Sequence, residues 1–563
     1  MDAALNLMRG PSRAVAGALT GVTRPVSEVI GAVPALSQIG LLRPLRPDQV
    51  VSVVAALRRW GMTPAAGYAS AAVRFPHAAA VIDEHGTLSF AEVHRRTTSL
   101  ANGLSEAGIG EGDRVGVLCR NHRGFVDATI ALSKLGANAY FLNTSFAGPQ
   151  LAEVIKAEKL TGLVYDQEFT EAARRGARRC TRFVAWVDEP SGRGRPGDPT
   201  FESLIATNDD SPLAPPTRPG RQIILTSGTT GRPRGANRGV PGTLNPLVAF
   251  LSRIPLRHRD TTLIAAPLFH AWGLGNYALS LVAGATVVLQ RRFDAEAVLA
   301  AIEEHQVTVL AAVPVMIQRI MALPEATRRR YDTRSLRVVG LSGSPLSDRL
   351  AHSFMDSFGD IVYSLYGSTE VGWAAIATPQ DLREAPGTAG LPPRGTVVRI
   401  VDDEGEEVPV GTTGRIFVGS ELLFDGYTAG EGKEMLDKLM STGDLGHLDQ
   451  AGRLFVEGRE DDMIVSGGEN VFPQEVEELL RAHEGVADAA VIGVPDEHFG
   501  QRLKALVVTE GERDISPDDL RAYVRSNLSR FKVPRDVELV EDLPRNPSGK
   551  IVRRELGGSA GPD

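Results

Sequence analysis

The stretch Leu225-Thr226-Ser227-Gly228-Thr229-Thr230-Gly231-Arg232-Pro233-Arg234-Gly235 directly follows the strand-like run Ile223–Leu225. Glycine lets backbone amides approach a phosphate closely, and serine and threonine hydroxyls add donors. Arg234 adds a fixed positive charge. The preceding strand and the internal cations set this segment apart from a plain flexible linker. It is not a Walker loop, because G-x-x-x-x-G-K-[ST] is absent.

On both sides of this loop, apolar runs of strand length alternate with helical patterns. Upstream, Phe90–Ala107 reads as a helix with Ser89 as its cap ahead of Glu92. Arg114–Cys119 reads as a buried strand, Phe125–Leu135 as a helix and Ala137–Leu142 as a strand. Downstream, strands are expected at Thr262–Ala266, Thr286–Leu289, Thr308–Ala312 and Arg337–Leu341. Strands separated by helices predict α/β layers with largely parallel sheets. Short strands at Val397–Val401, Gly414–Gly419 and Arg453–Val456 then form a small β unit. Residues 458–556 read as a small α+β domain, with helices at Pro473–Ala482 and Pro517–Leu528 and strands at Val486–Val494 and Leu503–Thr509. The expected organisation is an N-terminal extension (1–62), a large α/β domain (63–457), this C-terminal domain and a tail (557–563).

Composition bounds the function. Of 563 residues, 42% are hydrophobic and 23% charged, as in a soluble globular chain. The net charge of −8 and the lack of a basic stripe argue against a nucleic-acid partner. The run Arg328-Arg329-Arg330 reads as a solvated helix end. Two cysteines, Cys119 and Cys180, are too few for a disulfide scaffold or a cysteine-rich metal site. Cytoplasmic localisation is expected, with no signal peptide and no span; Pro34 interrupts the uncharged run Val29–Leu42. In residues 1–62 basic groups outnumber acidic ones, against the trend of the chain. This extension is either a helical cover on the main body or an amphipathic element resting peripherally on an anionic membrane.

Several other chemistries lack their residues. Gly110-x-Gly112-x-x-x-Gly116 has the wrong spacing for a dinucleotide fingerprint, and it precedes a strand. Gly340-Leu341-Ser342-Gly343-Ser344 lacks the closing glycine of a nucleophile elbow. No HExxH occurs. Three other segments carry chemistry. Tyr366-Gly367-Ser368-Thr369-Glu370 offers a ring, a hydroxyl and a carboxylate after the strand Ile361–Leu365. Thr442-Gly443-Asp444 presents a carboxylate that could accept from two ribose hydroxyls. Pro544-Arg545-Asn546-Pro547-Ser548-Gly549-Lys550 sets a lysine on a turn.

Taken in order, these segments resemble the adenylate-forming superfamily of acyl-CoA synthetases, peptide-synthetase adenylation domains and beetle luciferases. The resemblance runs from about residue 63 to 556 and is greatest to bacterial fatty-acid–CoA ligases. It implies ATP, Mg²⁺ and coenzyme A as reactants. Thr226, Ser227, Gly228, Thr229, Thr230, Gly231 and Arg234 would form the phosphate loop. Gly343, Ser344, Pro345 and Gly367 would flank the adenine, with Tyr366 stacked on it. Thr369 would contact the α-phosphate, Glu370 would hold Mg²⁺, and Asp444 and Arg459 would bind the ribose. Lys550 would be the catalytic lysine of adenylation, and Asp461 the hinge of a mobile C-terminal domain. Ser466, Gly467, Gly468 and Glu469 would border the pantetheine of CoA. His270, Trp272 and Gly273, in Pro267-Leu268-Phe269-His270-Ala271-Trp272-Gly273, would line the acyl channel.

The chain departs from the family twice. Arg234 and Val465 stand where lysine is common. Arginine keeps the charge with a different geometry, whereas Val465 removes one near the thioester-forming surface. Small residues around His270 favour a medium- or long-chain fatty acid as substrate. The competing expectations are an acyl-AMP ligase serving a carrier protein and a non-catalytic nucleotide-binding relative.

Overall fold

A computed structural model describes residues 26–557 except 147, 189–196, 228–232, 238–242, 429, 431, 467–468, 497–499, 512–514 and 548. Two mainly parallel sheets build the large domain. In the first, the strands follow the order Gly426–Tyr427, Pro233–Asn237, Gln222–Ser227, Asn138–Phe141, Arg114–Leu118, Gly162–Asp166, Thr181–Trp186. In the second the order is Gly372–Ala377, Val362–Ser368, Val338–Leu341, Val309–Ala312, Thr261–Ile264, Thr286–Val288, Ala79–Asp83, Gly86–Ser89. The central pairs are parallel, and antiparallel strands finish both edges of the second sheet and one edge of the first, whose other edge, Thr181–Trp186, is parallel.

The helices between these strands form as their sequences dictate. Phe90–Glu106 begins with a reciprocal cap: the Ser89 hydroxyl accepts from the Glu92 amide, and the Glu92 carboxylate accepts from the Ser89 amide. Arg123–Leu135 ends at Gly136, whose φ of 73° is the left-handed conformation that glycine adopts freely. The largest buried cluster includes Leu100, Leu104 and Ile130 of these helices. It also includes Val115 and Val117 of the first sheet and Ile264 and Val287 of the second. Apolar side chains from both sheets therefore meet on shared helices, which fixes one sheet relative to the other.

A third sheet, all antiparallel on its main path, runs Thr388–Gly390, Leu454–Arg459, Leu439–Leu448, Gly414–Gly419, Val397–Val401. Arg459 still pairs with Asp444 in it. The ladder holds this strand through Arg459. The C-terminal sheet starts at Ile464–Ser466 and packs on the helices Pro473–Ala482 and Pro517–Asn527.

The start of the chain is a helical cover from residue 26 onward. Ala35 and Ile39 pack with Val248, Phe250 and Leu251. The helix Pro64–Arg74 buries Tyr68 and Ala71 in the main core. The early run Ala14–Val22 lies outside the described residues. No helix among those described is long and apolar enough to cross a membrane.

One buried polar trio lies apart from the loops described below: Cys119, His122 and Asp166. The Gly124 amide donates to His122 Nδ1 (3.0 Å), which leaves the ring proton on Nε2, donating to Asp166 (2.8 Å). The Arg120 amide donates to the other Asp166 oxygen. With that proton in place His122 cannot ligate a metal through Nε2, so the trio is a satisfied strut.

Candidate active site

The loops that leave the carboxyl ends of the parallel strands converge on one cleft, where open α/β sheets place ligands. From the second sheet come Ser342–Pro345, the Tyr366–Glu370 segment and Pro267–His270. From the first come the paired strands Gln222–Ser227 and Pro233–Asn237, with Thr226 opposite Arg234. Gly228, Thr229, Thr230 and Gly231 lie outside the described residues, as do the side chains of Thr226, Ser227, Arg234 and Val465.

Two glycines here are required by geometry. Gly343 has φ +96°, which a side chain would strain. A Cβ on Gly367 would lie 2.0 Å from the Gly372 carbonyl oxygen, at a bulge between Tyr366 and Gly367. That bulge lets the strand Val362–Ser368 turn Tyr366 toward the third sheet. The Tyr366 hydroxyl donates to Asp444 Oδ2 at 2.5 Å. Arg459, directly across the ladder, lies 3.5 Å from the other Asp444 oxygen. Burial raises the Asp444 pKa, while the Arg459 charge and the tyrosine bond oppose the rise. Glu370 sits beside this group, and its Oε1 accepts from Tyr427 Oη at 2.8 Å. The second oxygen can serve a hard cation, since Mg²⁺ prefers oxygen ligands.

Lys550 reaches the cleft from the C-terminal domain. Its turn is closed by Asn546, whose side-chain oxygen accepts from the Lys550 amide at 2.9 Å. Gly549, at φ +82°, lies against the large domain; a Cβ there would be 3.0 Å from Val315 and 3.2 Å from Val313. Glycine at this position lets the turn approach closely enough to insert the next residue. Part of the Lys550 residue remains exposed. Crowding by the cleft walls nonetheless lowers its pKa, and so does Arg459, while Asp444, Glu370 and Asp462 act in the opposite sense. One ammonium thus shares the cleft with two carboxylates carried by the other domain.

Other bonds hold that domain in place. Gln318 donates to the Ala487 carbonyl at 2.8 Å. Arg349 donates to the carbonyls of His483 (3.0 Å) and Arg481 (3.3 Å) and pairs with Glu510. The Arg349–Glu510 pair is half exposed, so its worth is modest. Arg349→Ala should slow acid-dependent pyrophosphate release by about three- to tenfold, because fewer molecules seat Lys550. Thioester formation from a preformed acyl-adenylate should not fall. A stopped-flow measurement of each half-reaction checks this, and equal losses in both would refute it.

His270 stands at the N-cap position of the helix Ala271–Ala283, with no capping bond from its side chain. Burial and the nearby Lys550 charge pull its pKa down to about 4, so the ring is neutral near pH 7. Its Nε2 is buried with no hydrogen-bond partner. Two residues on, Trp272 Nε1 donates to the Ala312 carbonyl at 2.9 Å. A Cβ on Gly340 would lie 3.1 Å from the Trp272 ring. Gly273 has a different cause from the expected open channel: a Cβ there would meet the Pro267 carbonyl oxygen at 2.2 Å. Its lack of a side chain is set by backbone packing and does not itself report room for an acyl tail.

Residues 68–428 match the family model described as AMP-binding enzyme, and residues 475–550 match that of the AMP-binding enzyme C-terminal domain. The chain belongs to the AMP-binding enzyme family. It is similar to a feruloyl-CoA synthase from Amycolatopsis, 36% identical over 487 residues, or 85% of this chain and 96% of the relative. It is also similar to a fatty acid–[acyl-carrier-protein] ligase from Streptomyces coeruleorubidus, 30% identical over 85% of this chain and 93% of the relative. Among solved structures it is similar to the o-succinylbenzoate CoA synthetase of Bacillus subtilis in complex with the acyl-adenylate intermediate. There the identity is 28% and the TM-score 0.74, covering 88% of this chain and 98% of that one.

Of the residues expected at the site, the structure brings Tyr366, Glu370, Asp444, Arg459 and Lys550 within mutual electrostatic reach. His270 joins them through the Lys550 charge. Asp461 lies in the short 3-10 turn Glu460–Asp462 between the two domains. Ser466 and Glu469 are register partners in the C-terminal sheet; Gly467, Gly468 and the side chain of Glu469 lie outside the described residues. Two residues escaped the sequence reading. Tyr427, from a two-residue edge strand, holds Glu370. Lys433 donates to the Thr442 carbonyl at 3.4 Å and helps lower the Asp444 pKa, adding another cation beside that carboxylate. Neither carries a local signal, because each acts through a partner distant in sequence.

Proposed function

We propose that this protein is an ATP-dependent acid–CoA ligase that forms an acyl-adenylate with pyrophosphate release and then an acyl-CoA thioester with AMP release. The observation that carries the reading is Lys550 in the cleft with Glu370 and Asp444. A carboxylate repels nucleophiles and has oxide as its leaving group. Its attack on the α-phosphorus of ATP forms the acyl–phosphate bond and expels pyrophosphate, so AMP becomes the leaving group. Negative charge builds on the α-phosphate in that step, and a fixed ammonium stabilises it. The chemistry that bound Mg²⁺ supplies is charge neutralisation along the phosphates, with Glu370 as its protein ligand. Asp444 would accept from ribose hydroxyls, and Thr369 would donate to the α-phosphate. Coenzyme A thiolate then attacks the acyl carbon, and AMP leaves with the electron pair of the broken bond.

For the acid, the fixed indole of Trp272 favours a compact, ring-bearing body. It spans from its helix to Ala312 and Gly340, near the neutral His270. The similarity to a feruloyl-CoA synthase and to an o-succinylbenzoate enzyme supports the same reading. A medium- or long-chain fatty acid is the second reading. It draws on open space at Gly275, where an added Cβ meets nothing within 4 Å, and on the fatty-acid ligase relative.

A panel of aryl and straight-chain acids, with product mass read in the presence of coenzyme A or a carrier protein, decides among these. Aryl acyl-CoA should dominate. Trp272→Ala should shift kcat/KM toward longer acids by about fourfold per methylene newly accommodated. Acyl transfer to the carrier protein alone would overturn the coenzyme A assignment. Preference of the unmodified enzyme for long alkyl acids would overturn the aryl one.

A further inference from the structure

The helix Pro47–Trp60 carries an apolar face that no described residue covers. Its other side is engaged: Ala56 is buried, Gln49 donates to the Val73 carbonyl, and Val53, Leu57 and Trp60 are half-buried. Outward point Val50 (45% exposed), Val51 (70%) and Val54 (39%), with Ala55 beside them. At about 100° per residue these three valines fall in an arc of about 100°, with Arg58 inside the same arc. Leu42 and Met62, also exposed, flank the two ends of the helix. Among the described residues, six of the thirteen exposed large hydrophobic residues lie between Val33 and Met62, so the exposure is concentrated in this segment.

Charge selects the occupant. Residues 1–62 hold seven arginines against Asp2, Glu28 and Asp48, in a chain whose net charge is −8. Arg43, Arg46 and Arg58 are exposed in the same segment, and among the described residues only Arg46 of the three has a carboxylate partner, Asp48. A second copy laid on this face would add its own arginines to these. A bilayer bearing anionic headgroups answers both features: the valines enter the acyl boundary and the guanidinium groups meet phosphate. The helix has 14 residues, about 21 Å, with its Val53-Ala56-Leu57-Trp60 side packed on the protein and its valine side exposed, so it can lie flat on a surface. We propose that the Val50-Val51-Val54 face, flanked by Arg43 and Arg58, docks the enzyme peripherally on an anionic lipid surface.

Sedimentation of the full chain with vesicles tests this, using phosphatidylcholine alone and phosphatidylcholine mixed with phosphatidylglycerol. The protein should pellet with the mixed vesicles, less at high salt, and weakly with phosphatidylcholine. The combined variant Val50→Ser, Val51→Ser, Val54→Ser should bind the mixed vesicles at least about tenfold more weakly. Val51→Ser alone, the most exposed of the three, should weaken binding in the same direction. Arg43→Gln with Arg58→Gln should erase the preference for anionic lipid. Thermal unfolding and activity on water-soluble acids should match the unmodified enzyme in every variant. Equal pelleting of the valine variant would overturn the proposal. So would loss of a dimer in sedimentation velocity, which would assign the face to a second copy. A lowered melting temperature with unchanged vesicle binding would assign it to the chain's own first 25 residues and overturn it as well.

Discussion

Lys550→Ala should reduce acid-dependent pyrophosphate release by about 10²- to 10³-fold, the loss expected when one preorganised charge-stabilising group is removed. The effect belongs to the first half-reaction. Thioester formation from supplied acyl-adenylate needs no charge at the α-phosphate and should stay within about threefold of normal. The pH profile adds a second signature. Crowding lowers the Lys550 pKa from its ordinary value, and the ammonium is the active form. Adenylation should therefore fall as pH rises through that lowered value, at a lower pH than for a free lysine side chain. The alanine variant should lack this alkaline limb. Full pyrophosphate release by the variant would remove Lys550 from the mechanism.

Glu370→Gln should cut adenylation by about 10²-fold and raise the Mg²⁺ concentration needed for half-maximal rate. The amide is nearly isosteric and can still accept from Tyr427, so the loss reports the missing negative charge. The same charge raises the Lys550 pKa in the intact site. Removing it should move the alkaline limb of the residual activity to still lower pH. A magnesium titration at several pH values reads both effects. An unchanged magnesium requirement would reassign Glu370 to a structural role, as a partner for Tyr427.

The alternation of helix and strand was legible because each central strand is a continuous apolar run between helical periods. Val115–Leu118 and Leu263–Ile264 are fully buried strands of this kind. The Ser89–Glu92 cap was legible because capping is local. The strands Gly372–Ala377 and Pro233–Asn237 were not, because only their antiparallel partners make them strands. The rung between Arg459 and Asp444 was not legible for the same reason.

The order of motifs along the chain was enough to name the family, the α/β class and the groups able to do the chemistry, because glycine, carboxylate and lysine carry those properties wherever the chain takes them. Their assembly could not be read that way. Lys550 and Asp444 lie on different domains, and they meet only because Gly549 packs on Val313 and Val315 while Arg349 and Gln318 grip the C-terminal domain. Gly273 shows the converse, a glycine in an acyl-site motif whose cause is the carbonyl of Pro267. Which small residue leaves space and which fills a contact depends on neighbours far away in the chain, and packing across those distances is a property of the folded molecule.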